Sequence, residues 1–296
     1  MVSSQARSVV LTIAGSDPGG GAGIQADLKT FAALGVYGYS AITQVIAQNS
    51  STVRDIERVS ARMIARQVEL LVQERRPDEI KVGALGGAAA VRSVVRVIEN
   101  LRLEAPVVDP VILSSAGVRL LDRAGETALA KYLIPLAKVV TPNIAEAQAL
   151  TGIRITNDEQ MRAAAERLVL MGARAVVIKG GHRAGSESSD LLFDGHRLRW
   201  LRARRIAGAT AHGTGCAFSA AIAAYLARGA ELEAAVSAAK RYVTAALRQS
   251  FKFGGGGSLL EHFVGFPQRG SSARGSRSSG SQNLDPRKRP SPPGEV

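Results

Sequence analysis

Short apolar runs alternate along the chain with longer stretches in which apolar residues recur every three or four positions. Apolar runs of about four to eight residues are typical of buried strands, and the longer spacing is typical of helices that bury one face. The predicted strands are Val9–Ala14, Tyr39–Ala47, Glu79–Val82, Val107–Asp109, Val139–Val140 and Ala175–Ile178, with a β-rich patch at Asp190–Phe193 and Leu198–Arg204. The predicted helices are Ala22–Leu34, Ser60–Arg75, Ala88–Asn100, Arg123–Ile134, Ala145–Leu150, Asp158–Leu170, Gly215–Arg228 and Leu232–Gln249.

This alternation predicts an α/β fold, a three-layer αβα sandwich in which helices cover both faces of a central, mostly parallel sheet. Ligands in such folds bind beyond the carboxyl ends of the strands. Several chemically distinctive residues follow predicted strands in this way: Gly15–Gly23, Asp109, Asn143, Lys179–Gly181 and the turn before Cys216. We therefore expect the functional site at this edge of the sheet.

The chain has 296 residues, of which 46% are hydrophobic and 4% aromatic. This composition suits a globular protein with a sizeable core. No apolar run reaches the ~18 residues that a membrane span requires, and the N-terminal stretch lacks the features of a signal peptide. The single cysteine excludes an intramolecular disulfide. We expect a cytoplasmic protein that does not enter a membrane.

The formal net charge of +13 raises the question of a nucleic-acid partner. Pro267–Val296 carries six basic and two acidic residues among many Ser, Gly and Pro residues. Such a segment cannot bury enough apolar surface to fold, so we predict a disordered tail after a folded domain at residues 1–266. Because the tail has no aromatic residue for base stacking, no specific nucleic-acid partner is expected.

The glycine turn after the first predicted strand raises the question of a dinucleotide site. Gly21, Gly23 and Ala26 fit the pattern G-x-G-x-x-[GA]. A dinucleotide site also needs an acidic residue about 20 positions further on, which holds the ribose. The corresponding stretch reads AITQVIAQNSS and contains no acid. A dinucleotide site is therefore a weak interpretation of this turn.

A second glycine turn, within Thr210–Gly229, opens directly into a long apolar helix. The backbone amides near Gly213, Gly215 and Cys216 have no partner within the helix and lie at the positive end of its dipole. They are suited to bind an anion such as a phosphate. A plain helix-capping turn explains the same pattern.

Six motifs occur together and in order: AGSDPGGGAGIQADLKTFAALGVYG, AQNS, VVDP, TPNIAEAQALTG, VIKGGH and HGTGCAFSAAIAA. With these motifs the chain resembles the bacterial hydroxymethylpyrimidine/phosphomethylpyrimidine kinases of thiamin biosynthesis, in the ribokinase-like superfamily, from about Val9 to Phe263. The resemblance implies transfer of the ATP γ-phosphate, first to a hydroxymethyl group and then to the resulting phosphate monoester. It also implies that the protein binds ATP, Mg²⁺ and a small pyrimidine substrate and that it forms a homodimer.

The resemblance places the pyrimidine beside the first glycine turn. Gln48 matches the family position that pairs with the pyrimidine edge, and a carboxamide offers the donor and the acceptor that this edge needs. Gln44 lies four residues earlier on the same face of the strand, so spacing alone does not choose between the two glutamines. Gly15 and Ala22 would lie against the ring. Asp27, in the first turn of the next helix, would face the pyrimidine pocket or complement the helix dipole.

Phosphoryl transfer requires neutralisation of charge and alignment of the reactants. Lys179 ends an apolar strand, where a lysine needs a charged partner such as a phosphate. The acids Asp109 and Glu146 are candidates for Mg²⁺ held largely through water. Asn143 fits the same cluster and also fits a helix N-cap. The predicted nucleotide-binding residues are Asn143, Gly181 and Thr214.

The resemblance places Cys216 where related sugar kinases carry an aspartate base. A helix N-terminus lowers the pKa of a thiol, so Cys216 would accept the hydroxymethyl proton while Lys179 and the amides of Gly213 and Gly215 hold the phosphate. Alternatively, Cys216 is a small buried hydrophobic residue. His212 is expected to be a turn residue near the phosphate.

Two further segments concern the nucleotide pocket and the access of water to the site. Phe251–Phe263 lacks the proline and the first histidine of the family's C-terminal loop, so this chain departs from the family pattern at the edge of the expected nucleotide pocket. Ile112–Leu121 is predicted to be a mobile lid that excludes water.

Pyridoxal kinase, from the same superfamily, is an alternative function because its pyridine substrate also suits a glutamine-lined pocket. A non-catalytic ligand-binding or RNA-binding protein is the alternative from another class.

Overall fold

The computed structural model describes residues 7–181, 187–206, 211–253 and 256–264. Its strands are β1 (Val9–Ser16), β2 (Tyr37–Gln48), β3 (Val53–Arg58), β4 (Glu79–Val82), β5 (Val107–Val108), β6 (Val139–Val140), β7 (Val176–Ile178), β8 (Glu187–Phe193), β9 (Leu198–Arg204), β10 (Ala211–His212), β11 (Phe251–Lys252) and β12 (Ser258–Leu259). Its α-helices are α1 (Gly23–Ala33), α2 (Ala61–Glu74), α3 (Ala88–Asn100), α4 (Arg123–Ala128), α5 (Ile144–Thr151), α6 (Asp158–Leu170), α7 (Thr214–Ala227) and α8 (Leu232–Arg248). The predicted disordered tail, Pro267–Val296, lies outside the described residues.

Within the described residues, nine strands form the central sheet in the order β3-β2-β1-β4-β5-β6-β7-β8-β9. Strand β1 pairs in parallel with β2 and β4, and parallel pairing continues through β5 and β6 to β7. Strands β3, β8 and β9 pair antiparallel with their neighbours and form the two ends of the sheet. The predicted central, mostly parallel sheet is confirmed.

Helices cover both faces of this sheet. Leu11 and Ile13 of β1 belong to a buried cluster with residues of α2 and α3, whereas Val10 belongs to a second cluster with residues of α7 and α8. Alternate side chains of one strand thus face opposite helical layers. Helix α7 is itself enclosed, since every residue from Ala217 to Ala224 is buried. The three-layer αβα arrangement is confirmed, and none of the described helices is long and apolar enough to cross a membrane.

Three features depart from the sequence-based prediction. Strand β3 was missed because it lies at an edge and most of its side chains are charged and exposed. Strands β10, β11 and β12 form a separate small sheet, and runs of two residues carry no recognisable pattern. The predicted helix Arg123–Ile134 is divided into α4, a π-helical turn at Leu129–Leu133 and a 3₁₀ turn at Ile134–Leu136 that contains Pro135.

Asp17 organises the turn between β1 and α1. Its carboxylate accepts hydrogen bonds from three backbone N–H groups of the turn, those of Gly19, Gly21 and Ala22, at 2.8–3.0 Å. Burial acts to raise the pKa of Asp17, but hydrogen bonds from His212, Gln48 and the turn amides lower it to about 2. These amides of the first glycine turn therefore bind the protein's own carboxylate and not an external anion.

A fully buried ion pair joins α1 to the sheet. Lys81 Nζ in β4 lies 2.8 Å from Asp27 Oδ2, and both side chains are 0% exposed. Thr12 Oγ1 donates a hydrogen bond to the same oxygen at 2.6 Å. The prediction that Asp27 lies in the first helical turn is wrong, because α1 begins at Gly23 and Asp27 is in its second turn.

Replacing Lys81 by methionine should destabilise the fold strongly. Lys81→Met leaves the Asp27 carboxylate buried without its counter-charge, which typically costs about 3–5 kcal/mol. Urea unfolding should show this loss, and Lys81→Met/Asp27→Asn should recover part of it. As a control, Arg199→Met breaks the exposed Arg199–Glu233 pair and should change the free energy of unfolding by less than about 1 kcal/mol. Equal losses in Lys81→Met and Arg199→Met would contradict the importance of the buried pair.

Asp17 should stabilise the protein in a pH-dependent way. Its folded pKa of about 2 lies below the ordinary value of 3.8, so its contribution is complete above about pH 4 and is lost as the pH falls towards 2. The shift corresponds to about 2 kcal/mol. The difference in unfolding free energy between wild type and Asp17→Asn should shrink by that amount from about pH 6 to about pH 2. A difference that does not change with pH would show that the turn does not depend on the ionised carboxylate.

Candidate active site

The two glycine turns pack against each other, backbone to backbone. Gly213, the N-cap of α7, has φ +83°, and a side chain there would collide with the carbonyl oxygen of Gly21. Gly23 has φ +57°, and a side chain there would collide with the carbonyl oxygen of Gly15. Glycine alone suits both these backbone conformations and these contacts. The turn after β1 and the turn before α7 therefore form one unit, although they lie far apart in the sequence.

The side chain of His212 links the same two turns. Its Nε2 lies 3.2 Å from Asp17 Oδ2, and its Nδ1 lies 3.0 Å from Ser115 Oγ. Ser115 belongs to the predicted lid, Ile112–Leu121, in which Leu113 and Arg119 pair antiparallel. The lid segment thus contacts the site, and its mobility stays a prediction.

Lys179 and Asp109 form an ion pair at the start of α7. Lys179 Nζ lies 2.7 Å from Asp109 Oδ1, and Asp109 is buried while 16% of the Lys179 side chain is exposed. Burial acts to lower the pKa of Lys179, but Asp109 and Glu146 raise it above its ordinary value. A side chain on Gly215 would lie 3.1 Å from Lys179 Nζ. The structure therefore brings the predicted residues Lys179 and Asp109 next to Gly215, in the first turn of α7, where backbone amides have no partner within the helix.

Asn143 and Glu146 cap the start of α5 reciprocally. Asn143 Oδ1 accepts a hydrogen bond from the N–H of Glu146, and Glu146 Oε2 accepts one from the N–H of Asn143, both at 2.8 Å. The helix-cap alternative for Asn143 is confirmed. Burial raises the pKa of Glu146 to about 7, while Lys179 lowers it and Asp109 raises it further.

The residues described by the structure contain no group of three or more His, Cys, Asp or Glu side chains that could hold a metal ion. Mg²⁺ commonly takes only one or two carboxylates and keeps water and substrate phosphates as its other ligands. Asp109 contributes to the raised pKa of Glu146, so the two carboxylates repel each other and a cation between them would relieve this repulsion. The pair fits a water-mediated Mg²⁺ and not a closed metal site.

The thiol of Cys216 has a raised pKa, so the sequence-based expectation of a lowered pKa is wrong. Burial raises the pKa to about 11, Asp27 and Asp109 add to this effect, and Lys81 opposes it. The N–H of Gly23 donates a hydrogen bond to the sulfur, which also favours the thiolate. Loss of hydration and the two nearby carboxylates outweigh the helix N-terminus. The free protein therefore carries a neutral thiol at neutral pH.

The two glutamines of β2 differ in their contacts. Gln48 is half-buried, and its side chain lies near the Asp17 carboxylate and helps to lower the pKa of that group. Gln44 is 0% exposed, and neither its Oε1 nor its Nε2 has a partner among the described residues. A side chain on Gly15 would lie 3.0 Å from Gln44 Cγ. The structure thus distinguishes two residues that sequence spacing left equivalent.

The other predicted residues differ in how free they are to contact a ligand. The N–H of Ala22 is bonded to Asp17, and the hydroxyl of Thr214 donates to the carbonyl of Ala211 at 2.6 Å. Asp27 is buried against Lys81, although its Oδ1 has no partner within the described residues. A side chain on Gly181 would lie 3.8 Å from Ser188 Oγ, an ordinary contact distance, and the carbonyl of Gly181 accepts a hydrogen bond from Arg205.

Two buried charged residues near the site, Asp17 and Lys81, were not predicted from the sequence. Asp17 precedes a proline and three glycines, a pattern in which an aspartate side chain often bonds to the backbone of its own turn. Lys81 is an isolated lysine in the apolar strand EIKV, and the reasoning applied to Lys179 also applies to it. Both signals were present, but the partners of these side chains could not be read from the sequence.

Comparison with known proteins identifies relatives over nearly the whole described chain. The family model described as phosphomethylpyrimidine kinase matches residues 17–260. The hydroxymethylpyrimidine/phosphomethylpyrimidine kinase of Rhizobium meliloti is 46% identical over 259 residues, which cover 86% of this chain and 97% of that protein. The thiamine biosynthesis bifunctional protein ThiED of Geobacter sulfurreducens is 44% identical over 258 residues, which cover 87% of this chain and 53% of that protein. The chain thus spans about half the length of this bifunctional relative.

Solved structures resemble the fold closely. The pyridoxal kinase from Staphylococcus aureus in complex with AMP-PCP and pyridoxal superposes with a TM-score of 0.80 at 36% identity, covering 87% of this chain and 94% of that one. The phosphomethylpyrimidine kinase from Clostridium difficile superposes with a TM-score of 0.73 at 39% identity, covering 81% of this chain and 100% of that one. The fold is ribokinase-like, and the chain belongs to the phosphomethylpyrimidine kinase family.

Proposed function

We propose that this protein transfers the γ-phosphate of ATP to 4-amino-5-hydroxymethyl-2-methylpyrimidine and then to the resulting monophosphate, in thiamin biosynthesis. The observation that carries the proposal is the Lys179–Asp109 pair beside the glycine-lined N-terminus of α7, in a chain of a kinase family. The R. meliloti relative has both kinase activities in its name. Membership of this family leaves the non-catalytic alternative without support.

The transferring phosphate would bind at the start of α7. The first backbone amides of a helix have no intrahelical partners, and the helix dipole favours an anion there. Gly215 has no side chain that would separate these amides from Lys179 Nζ. Phosphoryl transfer depends mainly on positioning and on charge stabilisation. Gly213, Gly215 and Lys179 would supply both.

The nucleotide would lie on the β7 side of this site. Gly181 lies in the loop that directly follows β7, and the side chains of Asn143 and Thr214 already bond within the protein. Asn143 and Thr214 would therefore contribute through backbone groups. Asp109 and Glu146 would hold Mg²⁺ through water, and a bound Mg²⁺ supplies positive charge that offsets the phosphate oxygens.

The pyrimidine would lie along the turn after β1, with its hydroxymethyl group directed towards Cys216. Gly15, Ala22, Asp27 and Gln48 stay the predicted substrate contacts. Cys216 would accept the hydroxymethyl proton as its thiolate, which is rare at neutral pH because burial raises the thiol pKa to about 11. Catalysis through a loose transition state depends little on a general base. Proton transfer to Cys216 would therefore contribute only a modest part of the rate enhancement. A homodimer and a cytoplasmic location also stay predictions.

Pyridoxal kinase is a second candidate activity, because the S. aureus enzyme that binds pyridoxal superposes with a TM-score of 0.80. Purified protein with ATP should convert the hydroxymethylpyrimidine to its monophosphate and diphosphate, as measured by mass spectrometry. We expect kcat/KM for the pyrimidine to exceed that for pyridoxal. Phosphorylation of pyridoxal alone would make pyridoxal kinase the activity of this protein.

Replacing Cys216 by alanine should lower kcat by about 10²-fold, the lower end of the usual range for an acid–base group, and should leave the KM for ATP unchanged. Since the chain has a single cysteine, iodoacetamide reports on this thiol alone. Alkylation should be slow at pH 7 and should rise with pH until about 11.

Cys216→Ser is the control for packing, because it keeps the size of the side chain and changes its acidity. Near-normal turnover in Cys216→Ala would show that the thiol only fills space. In that case the amides of α7 and Lys179 alone would account for catalysis.

A further inference from the structure

Residues 256–262, which we call the C-terminal strap, belong to the segment in which this chain departs from the family pattern. The strap contains β12, which pairs in parallel with β10, the two residues that precede Gly213. A side chain on Gly21 would lie 2.7 Å from Leu259 Cδ2 of the strap and 2.8 Å from His212 Cδ2. The strap therefore contacts both the turn before α7 and the turn after β1.

The strap also bonds to the turn after β2, which directly follows Gln48. The N–H of Gly257 donates a hydrogen bond to Ser50 Oγ at 3.0 Å. A side chain on Gly256 would lie only 2.5 Å from the same oxygen. Because this distance is too short for a carbon atom, a glycine at position 256 is needed for the strap to lie against this turn.

A β-bulge and a cleft leave the turn after β2 loosely placed within the sheet. The pairing of β2 with β3 shifts register at Gln48, and such a bulge changes the direction of nearby side chains. Asn49 Oδ1 accepts hydrogen bonds from the N–H groups of Ser51 and Thr52, which set the shape of the turn itself. A cleft of about 380 Å³ lies between this turn and the turn after β1. The strap forms another wall of the cleft and joins the two turns.

The other end of the strap is anchored in the core. Leu260 is buried in the cluster that contains residues of α7 and α8. His262 is 4% exposed, and its carbonyl accepts a hydrogen bond from Tyr242 of α8 at 2.8 Å. Its Nδ1 lies 3.2 Å from Thr30 Oγ1 of α1. The strap is thus fixed to two helices at one end and reaches Ser50 at the other.

We propose that Ser50 is a positioning residue for pyrimidine recognition, which the C-terminal strap holds in place and which acts through Gln48. This role rests on the proposed function, in which Gln48 contacts the pyrimidine edge. The strap sets the position of Gln48 relative to the first turn of α7, where the phosphate would bind. A carboxamide has to meet the ring edge at hydrogen-bond distance, and a misplacement of about 1 Å is enough to impair an enzyme.

The test begins with Ser50→Ala in the full-length protein, which removes the acceptor of the Gly257 N–H. The KM for the hydroxymethylpyrimidine should rise about 3- to 10-fold, the usual effect of one lost hydrogen bond. The KM for ATP should stay unchanged, because β12 still pairs with β10 beside the α7 turn. The increase in melting temperature that the pyrimidine produces without ATP should become smaller.

Ser51→Ala is the matched control in the same turn. Ser51 Oγ bonds to Asn49 Oδ1 within the turn, at 3.0 Å, so this variant should keep the wild-type KM for both substrates. Equal effects of Ser50→Ala and Ser51→Ala on the KM for the pyrimidine would overturn the positioning role. An equal rise in the KM for ATP in Ser50→Ala would also overturn it, because the whole site would then have loosened.

Gly256→Ala tests the same contact from the side of the strap. Its methyl group would collide with Ser50 Oγ, so the KM for the pyrimidine should rise at least as much as in Ser50→Ala. Without that oxygen the nearest atoms lie 3.4 Å or more away, so Ser50→Ala/Gly256→Ala should resemble Ser50→Ala alone. Additive effects would show that the two residues act independently, which would contradict the proposal.

Turnover of the wild type decides the proposed function separately. A wild type that does not phosphorylate the pyrimidine overturns both the proposed function and the role of Ser50. A wild type that phosphorylates it, together with a Ser50→Ala variant of unchanged KM, overturns the role of Ser50 alone.

Discussion

The backbone of Gly213 lies directly against the backbone of Gly21, and the backbone of Gly23 lies directly against that of Gly15. No residue with a side chain fits at Gly213 or Gly23, because the φ values are positive and the space is filled by a neighbouring carbonyl. These contacts hold the first turn of α7 next to the turn after β1. The position of Gly215 and Cys216 beside the turn after β1 depends on this steric constraint, since the two turns lie far apart in the sequence.

Two lysine–aspartate pairs lie near the thiol of Cys216, and they differ in exposure. Lys81–Asp27 is completely buried, whereas part of the Lys179 side chain in Lys179–Asp109 reaches the surface. The ammonium group of Lys81 is completely buried and has no access to a ligand in the free protein. Lys179 keeps that access, which is why it is the cation suited to meet a phosphate. Lys81 instead holds α1 against the sheet and moderates the pKa of Cys216.

The polar groups around the turn after β1 also differ from one another. Some have hydrogen-bond partners within the described part of the protein, and others have none. Asp17 binds three turn amides and the side chain of His212, so a cluster that resembles an anion site is occupied by the protein's own carboxylate. Gln44 lies on the same strand as Gln48 and has no partner among the described residues. Whether a polar group already has a hydrogen-bond partner thus distinguishes groups that residue type alone does not distinguish.

The amino-acid sequence was sufficient to predict the alternation of strands and helices, the mostly parallel sheet and the edge where Lys179, Asp109 and the α7 turn meet. These features follow from local periodicity and from glycines that mark turns, which are properties of consecutive residues. It was not sufficient to predict that Asp27 pairs with Lys81, that Asn143 caps α5, that Gln44 has no partner among the described residues or that the pKa of Cys216 is raised. Each of these depends on burial and on neighbours brought in from distant parts of the chain. A helix N-terminus favours a thiolate wherever it occurs, but desolvation and nearby carboxylates set the final pKa, and they exist only once the chain has folded.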